Sequence, residues 1–171
     1  MNILKMIIKT LKLLNSNASP WTIAFGMAFG MLIGLTPGFP LHDYLFIFLA
    51  LFFNVSIPAT LFSMLIFSLL SLLLTAPAHA LGYRLLVDTP SLTPLWTQWY
   101  TMPLLPFTRF YNSVVLGTTL IGLICFIPLL FKIKFLVVYY RKHLQQKVMK
   151  WKIMQLLNVG NWLNVDDKLM G

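Results

Sequence analysis

Apolar residues fill most of the chain in runs too long for strands, and breaks rather than periodicity divide them. No residue between Lys12 and Asp43 is charged, and none between Asp43 and Arg84. Proline and glycine cut these runs into pieces. Ser19-Pro20 reads as a helix start, with Ser19 as N-cap and Pro20 at the first helical position. The first piece covers residues 20–36 and stops at Thr36-Pro37-Gly38-Phe39-Pro40, where Pro37, Gly38 and Pro40 form the expected turn. The second covers 41–53 and ends at Asn54-Val55-Ser56. The third runs from Pro58 to Tyr83 and the fourth from Phe110 to Phe131. Pro77 should kink the third helix without ending it, which a membrane helix tolerates.

Length decides what each piece can do. The third and fourth helices would be about 39 and about 33 Å long, enough to cross a hydrocarbon core of about 30 Å. The first two reach only about 26 and about 20 Å. Two short helices joined at a Pro-Gly break suggest a re-entrant hairpin, or else two spans in a locally thinned bilayer. We prefer the hairpin and keep both.

Composition agrees with a membrane protein. Hydrophobic residues make up 58% and charged residues 10% of 171 positions, too few charges to cover a soluble surface. Mean hydropathy is +0.81. There is no Glu, and the acids are Asp43, Asp88, Asp166 and Asp167. Lys5, Lys9 and Lys12 interrupt the N-terminal apolar residues, so this segment reads as a retained part of the protein and not a signal peptide. Single Cys125, inside an apolar run, reads as a packed thiol.

The basic residues set the orientation. Three lie before residue 18, and Lys132, Lys134, Arg141, Lys142, Lys147, Lys150 and Lys152 follow the fourth helix, whereas the connection between the third and fourth holds Arg84, Asp88 and Arg109. The positive-inside rule puts both termini in the cytoplasm and that connection outside. The connection interleaves Pro90, Pro94, Pro103 and Pro106 with Trp96, Trp99 and Tyr100, a headgroup-level anchor or a recognition surface for an outer partner. Lys5, Lys9 and Lys12 form one stripe of an interfacial N-terminal helix. In the C-terminal flank Val137, Tyr140, Leu144, Val148, Trp151 and Met154 share a helical face. Arg141, Lys142, Lys147 and Lys150 would meet anionic lipid headgroups or a partner. Nucleic acid is not expected: the isoelectric point of 9.9 is explained by the positive-inside imbalance.

The most specific pattern is Gly26-x-x-x-Gly30-x-x-x-Gly34, a flat helix face that lets another backbone approach closely. It would meet the second or third helix of the same chain, or a second copy or partner helix; we prefer the internal contact. His42 and Asp43 follow the turn. Capping of the second helix or surface exposure is the preferred reading of Asp43, and a ligand or proton site within the membrane is its rival. In the rival case His42, Arg84 or Arg109 would pair with it. Pro37-Gly-Phe-Pro40 and Pro103-Leu-Leu-Pro106 each precede an apolar helix, a faint internal echo of the kind transporters show. No enzyme, metal site or cofactor is expected: His42, His79 and His143 are scattered, and neither a phosphate loop nor a Gly-x-Ser-x-Gly elbow occurs.

Ser19-Pro20, Ala24-x-Gly26-x-Ala28-x-Gly30, Gly34, Pro37, His42, then Asn54 and Pro58-Ala59 together resemble the bacterial membrane family DUF2062. Leu74-Thr75-Ala76-Pro77 fits its continuation, with Leu72-Leu73 where the family has Asn-Pro. The resemblance covers residues 16–86. It implies an inner-membrane protein of a family without established activity, some of whose relatives are fused to glycosyltransferase domains. Small stand-alone members resemble products encoded beside larger envelope proteins, so it implies an accessory role in envelope or lipid biogenesis and brings no catalytic residues.

The expected architecture is all-α and polytopic, one membrane domain over 1–171. It comprises a basic amphipathic helix (1–18), the Gly-rich hairpin (19–54), a transmembrane helix (55–84), the outer connection (85–109), a second transmembrane helix (110–131) and a basic flank (132–171). The leading expectation is a non-catalytic inner-membrane subunit or scaffold, paired with another envelope protein or with itself, in lipid, glycolipid or envelope biogenesis. The alternative is a small oligomeric transporter or channel using Asp43 and His42.

Overall fold

The computed structural model describes residues 18–144, and every regular element among them is helical. The expected N-terminal helix with Lys5, Lys9 and Lys12, and the flank holding Lys147 and Lys150, lie outside the described residues.

Helix α1, Pro20–Leu35, starts with proline in its first turn, but Ser19 makes no side-chain capping bond. Thr36 takes an extended conformation, which Pro37 imposes on the residue before it. The chain reverses through Gly38 (φ 85°) and Phe39 (φ 48°), and Gly38 is there because a left-handed residue carries no penalty without a Cβ. Helix α2, Leu41–Phe52, then runs back. It ends with Asn54 left-handed (φ 50°) and the Val55 amide donating to the Ala50 carbonyl at 3.2 Å, a Schellman-type stop.

Helix α3, Ile57–Leu86, continues through Pro77 and three residues beyond the expected end. Hydroxyls of Ser71 and Thr75 bond back to carbonyls of the preceding turn. The outer connection contains a helix of its own, α4, Thr93–Thr101, between 3-10 turns at Pro90–Leu92 and Leu105–Thr108. Pro94 sits in its first turn, where a proline starts a helix instead of breaking one.

Helix α5, Ser113–Tyr139, begins three residues later than expected. Its start is fixed by Asn112, whose side chain accepts from the amides of Val114 and Val115 at 2.9 and 3.2 Å. It does not stop at Phe131. Ile133 and Val137 are buried against α1, and the Lys134 ammonium lies 3.9 Å from the centre of the Trp21 ring. The helix is therefore held by packing past its first charges, and a π-turn, Tyr140–Leu144, follows.

Helix α1 is the centre of the bundle, with eleven buried residues from Ile23 to Leu35. It runs parallel to α3, Gly26 lying beside Ser56 and Thr60 and Gly34 beside Met64. It runs antiparallel to α5, with Leu35 near Gly122 and Trp21 near Phe131. The Arg141 guanidinium donates to the Ala18 carbonyl at 2.7 Å, so both ends of the described chain lie at one end of the bundle. Helices α3 and α5 are long and apolar enough to cross a membrane, and only 11% and 33% of their most apolar windows are buried within the chain. Core helices of a soluble protein would be mostly buried. Here rows such as Leu69, Leu72, Leu73, Ile124 and Ile127 face outward.

The glycine face is filled from within the chain. A Cβ on Gly34 would lie 2.5 Å from the Met64 carbonyl oxygen, and one on Gly30 would collide with that of Thr60. A second contact of this kind joins α3 to α5: Gly82 abuts the Ser113 backbone, and Gly117 that of Ala78. Gly122, by contrast, faces only the ends of the Leu32 and Leu35 side chains. Gly30→Ala and Gly117→Ala are therefore expected to lower the thermal midpoint of the purified protein by well over 5 °C, and Gly122→Ala by much less. Equal shifts in a detergent melting series would refute backbone contact as the basis of the bundle.

Candidate functional site

The polar groups inside the bundle collect at the hairpin tip. Proline at position 40 is the reason. Asp43 is the third residue of α2, where an acid favours the helix dipole and would ordinarily reach back to the backbone N–H of the N-cap residue. That residue is Pro40, which has no N–H. Asp43 keeps its own amide bonded to the Pro40 carbonyl at 3.0 Å, while both carboxyl oxygens have no hydrogen-bond partner. Its side chain is 0% exposed, because it falls on the inner face of α2 with Ala50, one stripe turned toward α1. This corrects the expectation that Asp43 caps α2 or lies at the surface.

His42 lies beside it, Nε2 3.7 Å from Asp43 Oδ1. The same nitrogen is 3.0 Å from Thr119 Oγ1, which donates its hydrogen to the Val115 carbonyl at 2.7 Å. With that hydroxyl proton committed, the pairing assigns the ring hydrogen to Nε2, donated to Thr119. The imidazole meets Phe46 edge-on, with ring centres 5.6 Å apart. Among the described residues His42 is the one basic side chain within 4 Å of the Asp43 carboxyl group, so neither Arg84 nor Arg109 neutralises the acid. Thr119 escaped the sequence reading, since nothing in a Thr-Thr pair within an apolar run marks it as a partner of a residue 77 positions away.

Pro37, Gly38 and Pro40 make the turn, and the two Pro-x-x-Pro segments of the internal echo face each other there. Between them opens a cleft of about 350 Å³, lined by Phe39, Pro40 and Tyr44 from the hairpin and Leu104, Arg109 and Tyr111 from the outer connection. Phe39 also lines a second, almost wholly apolar groove of about 270 Å³ between α2 and α3, with Ile47, Leu51, Ile57, Leu61 and Met64. A third cavity, about 450 Å³, lies in the outer layer beside Tyr83, Trp96, Tyr100 and Phe110. There Trp96 donates to the Leu85 carbonyl at 2.9 Å, and Trp96, Trp99 and Phe110 pack on one another. His79 Nδ1 lies 2.6 Å from Ser113 Oγ at the outer α3–α5 contact, far along the chain from the tip.

The remaining expected site residues lie elsewhere. Gly26, Gly30 and Gly34 pack on α3 and present no open face to a second chain. Arg141 bonds to the chain's own Ala18, and Lys142 is exposed next to it. Among the described residues no group of His, Cys, Asp or Glu is arranged to hold a metal ion.

The chain belongs to the family described as an uncharacterized protein conserved in bacteria (DUF2062), whose profile matches residues 4–146. The match reaches beyond the span of 16–86 that the glycine and proline pattern marks, and takes in the outer layer and α5. No curated protein and no solved structure matches the chain.

Proposed function

We propose that this protein is a non-catalytic, multi-pass component of the bacterial inner membrane that holds an envelope lipid or glycolipid, as a subunit beside another envelope protein. The observation that carries this reading is the pair of neighbouring clefts that share Phe39 as a wall: a polar-rimmed cleft at the hairpin tip and an apolar groove between α2 and α3. A site of that form suits a molecule with a polar end and a hydrocarbon end.

In this arrangement α3 and α5 span the bilayer, both ends of the described chain lie on the cytoplasmic side, and the α1–α2 hairpin enters and leaves on that side. Basic residues near the Ala18–Arg141 end support the orientation. Length supports the re-entrant hairpin: α1 and α2, about 24 and about 18 Å long, each fall short of a hydrocarbon core of about 30 Å. Tyr44→Cys and Gln98→Cys, each in a Cys125→Ser background, test this in right-side-out vesicles. An impermeant maleimide is expected to label position 98 promptly and position 44 only after detergent is added; equal rates would establish two complete spans.

The functional reading is tested by extracting the protein in native lipid particles, exchanging it into detergent and recording its intact mass. One lipid class retained at a fixed ratio to the chain is the expected result, and a second protein at fixed stoichiometry would identify the partner. Loss of all lipid on exchange would refute the lipid-holding reading.

One observation favours a second reading. A buried carboxyl without a hydrogen bond costs stability, and such groups inside membranes mark ion and proton pathways. A small oligomeric transporter or channel would use Asp43 as the ionisable group and His42 with Thr119 as its neighbours. Asp43→Asn breaks no side-chain bond, so it is expected to leave the melting midpoint unchanged or raised. On this reading it abolishes flux in proteoliposomes; flux equal to wild type would remove Asp43 from consideration.

A further inference from the structure

We propose that Arg109 binds the phosphate of an anionic phospholipid in the tip cleft, with one acyl chain of that lipid lying in the groove between α2 and α3. The proposal rests on the lipid-holding reading and names the ligand class and the residue that selects it.

Charge comes first. Among the described residues Arg109 is the one charged residue lining the tip cleft, and none of their carboxylates lies within 4 Å of its guanidinium. An unopposed guanidinium presents a planar fork of donors that matches phosphate geometry. Tyr44 and Tyr111 line the same cleft and can add hydroxyl donors.

Backbone geometry aims the side chain. Arg109 is left-handed (φ 55°), and so is Phe39 (φ 48°) on the opposite wall. Non-glycine residues in this region carry strain that the surrounding structure must impose, and such positions cluster at ligand clamps. Gly38 completes the arrangement: a Cβ there would lie 2.8 Å from Arg109 Nη1. Any side chain at position 38 would push the guanidinium off the tip.

Depth and the wall that the two clefts share at Phe39 identify the rest of the ligand. Helix α5 is about 40 Å long, close to the full bilayer with its headgroup layers, about 40–45 Å. Arg109 and Tyr111 precede Ser113, so the cleft lies at that end of α5, in the headgroup layer, and His42 meets α5 about 9 Å further in, near the boundary where phosphates give way to acyl chains. From there the apolar groove follows α2, about 18 Å long, through Ile47 and Leu51 down to Ile57. A phosphate alone would leave that groove unused.

The test is lipid binding to the purified full chain, followed by native mass spectrometry as phosphatidylglycerol is titrated in, with phosphatidylcholine and inorganic phosphate as comparisons. Wild type is expected to prefer phosphatidylglycerol. Arg109→Gln should weaken it at least tenfold and abolish the preference, with Arg109→Lys in between. Leu51→Trp, which fills the groove, should weaken both lipids while leaving Arg109 in place. These surface and groove variants are checked by their melting midpoints, and if Arg109→Gln fails to fold, Arg109→Lys and Leu51→Trp decide between them. Lipid retained with unchanged preference in the Arg109 variants would overturn anion recognition and leave the lipid-holding reading standing. Inorganic phosphate displacing phosphatidylglycerol at equal concentration, with Leu51→Trp silent, would overturn the acyl chain's place in the groove. No lipid retained by wild type would remove both readings together.

Discussion

Everything in this fold depends on how closely three helix backbones approach one another. Helices α3 and α5 are long and apolar enough to cross a membrane, and in such surroundings apolar helices would have no hydrophobic reason to associate. Association must come from contact, and contact from small residues. Gly26, Gly30 and Gly34 set α1 against the α3 backbone, and Ser63 Oγ then donates to the Met27 carbonyl at 2.6 Å, a bond that only this close spacing permits. Gly82 and Gly117 close α3 onto α5 at the end of the bundle away from Ala18 and Arg141. With α1 trapped between the long helices, α2 is carried on its outer flank, and the tip is placed wherever α1 ends. The position of the polar groups is thus a consequence of helix packing and of the length of α1.

Much of this arrangement was legible in the amino-acid pattern. Proline at positions 20, 37 and 40 and Asn54 set helix limits by rules local to a few residues, so α1 and α2 ended within one residue of expectation. The glycine triplet announced a close approach but not its partner, because a flat face is equally suited to several helices. The α3–α5 contact was overlooked although it carries the same signal in weaker letters: Ala78-x-x-x-Gly82 and Ser113-x-x-x-Gly117 each place two small residues four apart. The ends of α5 were misjudged for a different reason. Its start is set by the Asn112 cap, a single side chain, and its extension by burial of Ile133 and Val137 against α1, a tertiary effect.

Asp43 shows where local rules fail. At position three of a helix an acid is ordinarily unremarkable, and its spacing after Pro40 looked like capping chemistry. The bond it lacks is missing because the same proline that makes the turn supplies no N–H. Helix phase does the rest, placing Asp43 on the side of α2 that faces α1. Neither the burial of Asp43 nor the contact of its neighbour His42 with Thr119 can be read without the positions of α1 and α5.

The tip therefore carries two groups of opposite charge type that do not meet. Asp43 enters from the inner face of α2, while Arg109 approaches from the outer connection across Gly38. Had the turn been built so that they paired, the buried acid would be satisfied and the guanidinium consumed, and the tip would be a structural lock. Keeping them apart costs stability at Asp43, where an unpaired buried polar group costs about 1–3 kcal/mol. What that separation preserves is a cation open to the cleft. It also preserves an acid shielded from that cation inside the bundle. The same turn thus accounts for both features, the strained Phe39 that walls the cleft and the Pro40 that leaves the acid unbonded.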